Sequence, residues 1–283
     1  MSSNSYLSLY AKSFNWAGFF LPKKTYRECS ILYDFCRTVD NITDDDGALD
    51  VKKTKLLNFK NSFINKNYDN SIIKNMWDLI NNFNISQKII NDLFDGVETD
   101  LKERVQLNSK KDLLIYSYRV AGTVGLMMAK ILNVKNHNAL KSAIDLGIAM
   151  QLTNICRDVA EDAKNNRSYI DANFDTIRDT LKLADLFYES SFFSIKEIPI
   201  NFRFSILVAR RVYRKIGHNI LKKKNFDNYN KAGKIYVNNI GKINQTILSI
   251  YDLIKLSLIK PGEHLRDKEH LTINEEIDLN ERF

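Results

Sequence analysis

Only 10 glycines and 3 prolines punctuate the 283 residues. Architectures built from many short strands need turn residues at every reversal, so this scarcity argues for long helices joined by short polar connections. Cysteine is scarce as well. Cys29, Cys36 and Cys156 form no CxxC pair and none stands at zinc-ligand spacing from a histidine, which excludes a disulfide scaffold and fits a reducing compartment. No stretch has the apolar length of a membrane span; Ala121 to Leu132 is short and contains Lys130. The opening from Met1 to Tyr10 lacks the basic-then-apolar pattern of a secretory signal. The expectation is a cytoplasmic protein, soluble or at most peripheral on the inner face of the membrane.

What is present supports a substantial core. With 44% hydrophobic and 27% charged residues, neither disorder nor a small stapled fold fits. The net charge of +8 is unevenly placed: Arg203 to Lys260 holds 13 basic and 2 acidic residues, whereas Glu263 to Phe283 holds 3 basic and 7 acidic. The basic stretch reads either as a surface for an anionic partner or as the solvated faces of two helices, because its charges interleave with apolar residues at helical spacing.

Apolar residues recur at intervals of three and four almost throughout, with no sustained strand-like alternation and no internal repeat. The pattern predicts helices over Tyr6–Phe20, Thr25–Asp44, Val51–Asn65, Ile72–Phe83, Ser86–Val105, Lys110–Leu132, Ala139–Ala163, Phe174–Ser194, Phe202–Lys223 and Tyr229–Ile259. Pro22 and Pro199 break the chain between helices, and Pro261 with Gly262 ends the last. The expected organisation is one all-α domain over residues 1–262, followed by a charged tail, 263–283, that is loose or binds a partner.

Two helices carry polar stripes that a core helix does not need. Tyr33, Arg37, Asp40 and Asp44 share one face, at intervals of four, three and four. Gln151, Asn154, Asp158 and Asp162 share another, with Arg157 and Glu161 beside them, and this stripe continues an almost wholly apolar run that includes Ile144, Leu146, Ile148 and Met150. A helix apolar nearly all round is buried, so its polar groups need partners inside the protein or a ligand. Carboxylates spaced i,i+4 repel each other, more strongly in a low dielectric. A divalent cation shared with a substrate phosphate is the natural compensation, since Mg²⁺ takes one or two protein carboxylates and keeps the rest of its shell for water and phosphate.

These residues resemble the motifs of the squalene and phytoene synthase family, the helical head-to-head prenyl transferases. Ala11-Lys12-Ser13-Phe14, followed by Leu21-Pro22, is similar to the family's opening SKSF. Tyr33 to Asp44 reads as its YxFCRxxDDxxD motif, with Asn41 where many members have a second aspartate. Tyr116 to Gly125, YSYRVAGTVG, matches YxYxVAGxVG, and Gln151 to Asp162 matches QLTNIxRDVxED, followed by Arg167-Ser168-Tyr169. Further on, Tyr213 and Lys234 match a family tyrosine and arginine near the diphosphate; lysine lacks the arginine fork.

The resemblance implies a single-domain isoprenoid synthase bundle in which the two acidic helices face each other across a deep apolar cavity. Asp40, Asp44, Asn154, Asp158 and Asp162 are implied as ligands of Mg²⁺, with Mn²⁺ as the alternative. Ser13, Arg37, Gln151, Arg157, Tyr213 and Lys234, together with Asn154, are implied around the diphosphate, and Tyr116 as a group that helps move a proton. The implied reaction joins two geranylgeranyl diphosphates through a cyclopropyl diphosphate to 15-cis-phytoene, for carotenoid biosynthesis, without NADPH. The alternative is squalene, dehydrosqualene or presqualene diphosphate formation from two farnesyl diphosphates. A non-catalytic helical assembly factor would be free to lose the four aspartates, and a nucleic-acid partner is not expected, because acids facing a bound strand repel it. The glycines Gly122 and Gly125 read either as sites of unwinding and close chain approach or as close helix packing. Phe14, Phe19, Phe20, Phe35 and Tyr118 read either as cavity aromatics that stabilise a cation or as ordinary core.

Overall fold

The computed structural model describes residues 12–259 and 264–283. Thirteen helices are described: α1 (Lys12–Gly18), α2 (Lys23–Asp44), α3 (Leu49–Ile64), α4 (Ser71–Phe83), α5 (Gln87–Thr99), α6 (Lys110–Ser117), α7 (Thr123–Ile131), α8 (His137–Lys164), α9 (Phe174–Ser194), α10 (Ile200–Leu221), α11 (Phe226–Lys231), α12 (Asn239–Leu258) and α13 (Asp267–Asn274). The all-α expectation holds. The expected residues 6–11 of the first helix, Ala11 of the opening motif, and the Pro261-Gly262 stop lie outside the described residues.

Local chemistry explains the starts. Pro22 and Pro199 stand immediately before α2 and α10, where a missing N–H costs nothing. Asparagine or serine side chains accept from the first free backbone N–H groups of α4, α5, α6, α8, α9, α11 and α12. The long final helix expected from Tyr229 is instead α11 and α12, separated where Gly233 takes a left-handed φ of +60°.

α8 runs through the centre and packs against α7, α9 and α10. Its contact with α7 is a backbone contact. A Cβ on Gly125 would lie 2.2 Å from the Ala143 carbonyl oxygen, and one on Gly147 would lie 2.2 Å from that of Ala121. Close packing is thus the role of Gly125. Gly122 closes a π-helical turn, Tyr118–Gly122, so the widening of the helix also occurs, one turn earlier. Phe35 packs with Phe63 and Phe94 in the core, and Tyr118 donates to Asp92; neither faces the cavity described below.

The tail is not loose. Residues 264–283 bind back onto the bundle through charges that the core had left buried. Asp145 in α8 has no exposed surface, and it is held by His264 Nε2 at 2.9 Å, His270 Nε2 at 2.7 Å and the donating Ser190 hydroxyl at 2.8 Å. His264 Nδ1 lies 2.9 Å from Asp267. Arg282 donates two bonds of 2.9 Å to buried Asp92, which also accepts from Tyr118. Ile273, Ile277 and Leu279 are buried beside these pairs. Acidic composition suggested a solvated extension, whereas three apolar anchors and two histidines make it a strap.

Candidate active site

A cavity of about 560 Å³ lies within the bundle. Tyr33, Arg37 and Asp40 of α2 line it, as do Gln151, Asn154 and Arg157 of α8. Farther along α8 the lining becomes apolar, with Leu146, Ala143 and Ala139 joined by Leu132, Val134 and Ile195. Asn154 and Ala139 stand 15 positions apart, about 22 Å along a helix rising 1.5 Å per residue. The cavity is therefore a long slot with a charged mouth.

The charges at the mouth do not cancel. Burial, then the neighbouring charge of Asp44, pushes the Asp40 carboxyl up to about 7 against the pull of Arg37. Burial and Asp158 do the same to Asp162, also to about 7, against Arg167. Asp100, which follows α5, is raised by burial although Tyr169, Arg167 and Tyr116 all favour its charged form. Its charge in turn contributes to the rise at both Asp40 and Asp162. The two acidic faces therefore meet electrostatically through Asp100.

Cations and hydroxyls hold this arrangement. Arg167 Nη1 donates to Asp44 at 3.1 Å and Nη2 to the Thr43 carbonyl at 3.3 Å; Arg37 Nη1 stands 3.6 Å from Asp44. Arg157 grips Asp158 with two bonds of 2.9 and 2.5 Å, while its own carbonyl accepts from Tyr229 at 2.8 Å. Lys234 binds Glu161 at 2.7 Å and lies 3.5 Å from Asp158, at the rim. Tyr116 and Tyr169 stack with centroids 4.7 Å apart and donate to the two oxygens of Asp100, at 2.9 and 2.6 Å. Burial first, then Asp100, holds the Tyr116 phenol well above its ordinary range, so it keeps its proton.

Of the residues singled out in the sequence, Arg37, Asp40, Gln151, Asn154, Arg157, Tyr213 and Lys234 line this one cavity. Asp44 and Asp158 join them through the contacts above, and Asp162 through its charge interactions with Asp158 and Arg167. Tyr116 stands one hydrogen bond from the acidic cluster. Ser13 lies in α1, next to cavity-lining Phe14, whose ring is 4.7 Å from that of Tyr213. Phe19 and Phe20 are exposed rather than in the cavity. Asp100, Tyr229 and Tyr236 carried no signal in the sequence: each is a single polar or aromatic residue in a mixed segment. Arg167 and Tyr169 stood in a motif without a role.

The residues fit a divalent cation. The Asn154 side-chain oxygen is buried with no hydrogen-bond partner among the described residues, and it stands on the same helix face as Asp158 and Asp162. Oxygen donors only, with Asp40 and Asp162 disfavoured as bare anions, suit a hard cation.

Residues 7–174, more than half of the chain, match the squalene/phytoene synthase family. The chain belongs to the squalene/phytoene synthase family. It is a prenyl transferase type of enzyme, and the family is in general dependent on divalent metal. It is 29% identical to the 15-cis-phytoene synthase of Pantoea ananas over 240 residues, 73% of this chain and 77% of that one. It is 36% identical to the 15-cis-phytoene synthase of a Paracoccus species over 149 residues, 46% of this chain and 49% of the other. Among solved structures, a dehydrosqualene synthase superposes with a TM-score of 0.72 at 26% identity, covering 89% of this chain and 95% of that one. A squalene synthase from Alicyclobacillus acidocaldarius, at 15% identity and a TM-score of 0.65, covers 76% and 90% and shares the fold. Among the described residues, no helix of this family member is long and apolar enough to cross a membrane.

Proposed function

We propose that this chain is a 15-cis-phytoene synthase, joining two geranylgeranyl diphosphates head to head through a cyclopropyl diphosphate, with Mg²⁺ as its metal. The observation that carries the reading is the pair of acidic faces, only partly compensated by Arg37, Arg157 and Arg167, at the mouth of a long apolar slot. The likeness to the Pantoea and Paracoccus 15-cis-phytoene synthases supports the twenty-carbon substrate.

Asp40, Asp44, Asn154, Asp158 and Asp162 would hold the Mg²⁺, which acts as a Lewis acid on the departing diphosphate. Arg157 and Asp158 now satisfy each other; a diphosphate and its cation would take the place of each partner in turn, leaving Arg157 to fork onto phosphate oxygens. Arg37, Gln151, Tyr213 and Lys234 line the space beside it, and Ser13 precedes the lining residue Phe14. The apolar length of the slot keeps water from the allylic cation, which would otherwise end as an alcohol. Tyr116, protonated and donating to Asp100, would be the group that passes a proton between the reacting carbon skeleton and the leaving diphosphate.

A second reading, dehydrosqualene formation from farnesyl diphosphate, is favoured by the 26% identity and TM-score of 0.72 to a dehydrosqualene synthase. Incubation of the purified protein with Mg²⁺ and either diphosphate, without NADPH, followed by mass analysis of the hydrocarbons, separates the two. A forty-carbon product lost with EDTA supports phytoene synthesis. A thirty-carbon product from farnesyl diphosphate alone replaces it, and no product from either overturns both.

A further inference from the structure

The geometry points to α12 as the face on which this protein sits on an anionic lipid bilayer. α12 is 20 residues long, about 30 Å, and leaves an apolar stripe uncovered along its whole length. Ile243, Ile247, Ile250, Ile254 and Leu258 follow at intervals of four, three, four and four, all exposed, with Leu258 at 82%. Tyr251 stands beside them at 63%. Soluble monomers rarely expose a contiguous patch of this kind without a partner for it.

The charge pattern selects the partner. Lys255 is the single charged residue among the exposed positions of α12, because Asp252 turns inward onto Arg211 with bonds of 2.5 and 2.6 Å. Arg210 and Arg214 are likewise spent within the bundle, on the Tyr188 carbonyl and on Asp185 and Glu189. Two of the remaining lysines lie toward the start of α12. Asn219 reaches the Tyr236 carbonyl at 3.4 Å, and exposed Lys222 and Lys224 follow directly. An apolar stripe without acids, edged by lysines and tyrosines, is the composition of a helix lying in a bilayer interface.

Its position suits a lipid substrate. α1 packs on α10 and reaches α12 through Trp16, which donates to Thr246 at 2.9 Å, and the same short helix supplies Phe14, Ala17 and Gly18 to the cavity wall. Phe19 and Phe20 at the end of α1 are exposed as well, with Phe20 against Phe204 of α10. One helix seven residues long thus separates the slot from the proposed bilayer contact.

Flotation of the full-length protein with vesicles tests this without turnover, so it is independent of the reaction proposed above. The wild-type protein is expected to float with phosphatidylcholine vesicles containing phosphatidylglycerol, and less with phosphatidylcholine alone. Ile247→Glu combined with Ile254→Glu is expected to weaken partitioning by about tenfold or more at unchanged thermal midpoint, since each exposed isoleucine gives up burial in the interface. Wild-type protein that stays unbound from anionic vesicles at low salt overturns the proposal. So does a double variant that floats like wild type, or a non-floating wild-type dimer that the double variant splits in light scattering.

Discussion

The mouth of the slot and the strap at the other end of α8 use the same material, buried carboxylates, to opposite ends. Asp145 and Asp92 lie deep in the protein with every oxygen answered by histidine, arginine, tyrosine or serine, and His264 and Asp145 hold each other's charged forms. Asp40 and Asp162 have acids as well as arginines for neighbours, and burial together with the acids prevails. Raising Asp40 from 3.8 to about 7 means that its charge costs roughly 4 kcal/mol at ~1.4 kcal/mol per unit. A buried carboxylate with its partners built in is architecture; one surrounded by its own kind is a binding site waiting for a cation.

The sharpest test removes charge on each side and asks which property moves. Asp40→Asn or Asp162→Asn is expected to lower kcat on the order of 10³-fold, several kcal/mol of metal-borne stabilisation, while leaving the thermal midpoint unchanged or higher, as read by product assay and calorimetry. Asp145→Ala is expected to do the reverse. It strands His264 and His270 in the interior and costs about 3–5 kcal/mol in urea unfolding, with the folded fraction retaining its metal-dependent turnover. Equal loss of stability from both substitutions would abolish the distinction.

Asp100 sits between these extremes, since its bonds to Tyr116 and Tyr169 look structural but its charge touches both acidic faces. Asp100→Asn is expected to cut kcat about 10- to 100-fold and to weaken metal binding measured by titration calorimetry, as loss of a residue that orients a ligand set does. A change in stability alone would return it to architecture.

The smallest effect is in pH. Burial works against the His264 imidazolium, but hydrogen bonds to Asp145 and Asp267 outweigh it and raise its pKa above the ordinary 6.5. Its contribution is therefore complete below 6.5 and is lost as pH rises through the higher folded value. Asp145 and Asp267, held low, contribute above the ordinary carboxylate range and lose this as pH falls. The strap is thus tightest in mildly acidic solution. At the mouth, Asp40 and Asp162 are raised acids, so they lower stability as pH climbs from about 4 to about 7. Urea midpoints across pH 4–9 are expected to show His264→Asn converging on wild type above neutrality, and Asp40→Asn diverging upward between pH 4 and 7.

The mouth was legible in the sequence because α2 and α8 are regular. Acids recurring at three and four on apolar helices announce a shared face before any fold is known. The strap was not legible for the opposite reason. His264 and Arg282 find their partners 119 and 190 positions away, and no local period records that. Asp100 was silent because it follows its helix alone. The expected single helix from Tyr229 failed on Gly233, whose left-handed turn was written in the sequence and outweighed by the apolar pattern on either side.

The two-residue ladder of Val105–Gln106 against Arg167–Ser168 has a bearing on how this chain can change over evolutionary time. Asp100 lies just before one strand and Tyr169 just after the other, and Arg167 is itself a rung. Lengthening the link 101–104 by one residue, or 165–166, would slip the register and turn Arg167 away from Asp44. The segment 107–109 is tied as well, since the Leu107 N–H donates to the Ser168 carbonyl at 3.1 Å and Ser109 caps α6, so the ladder is pinned on both sides.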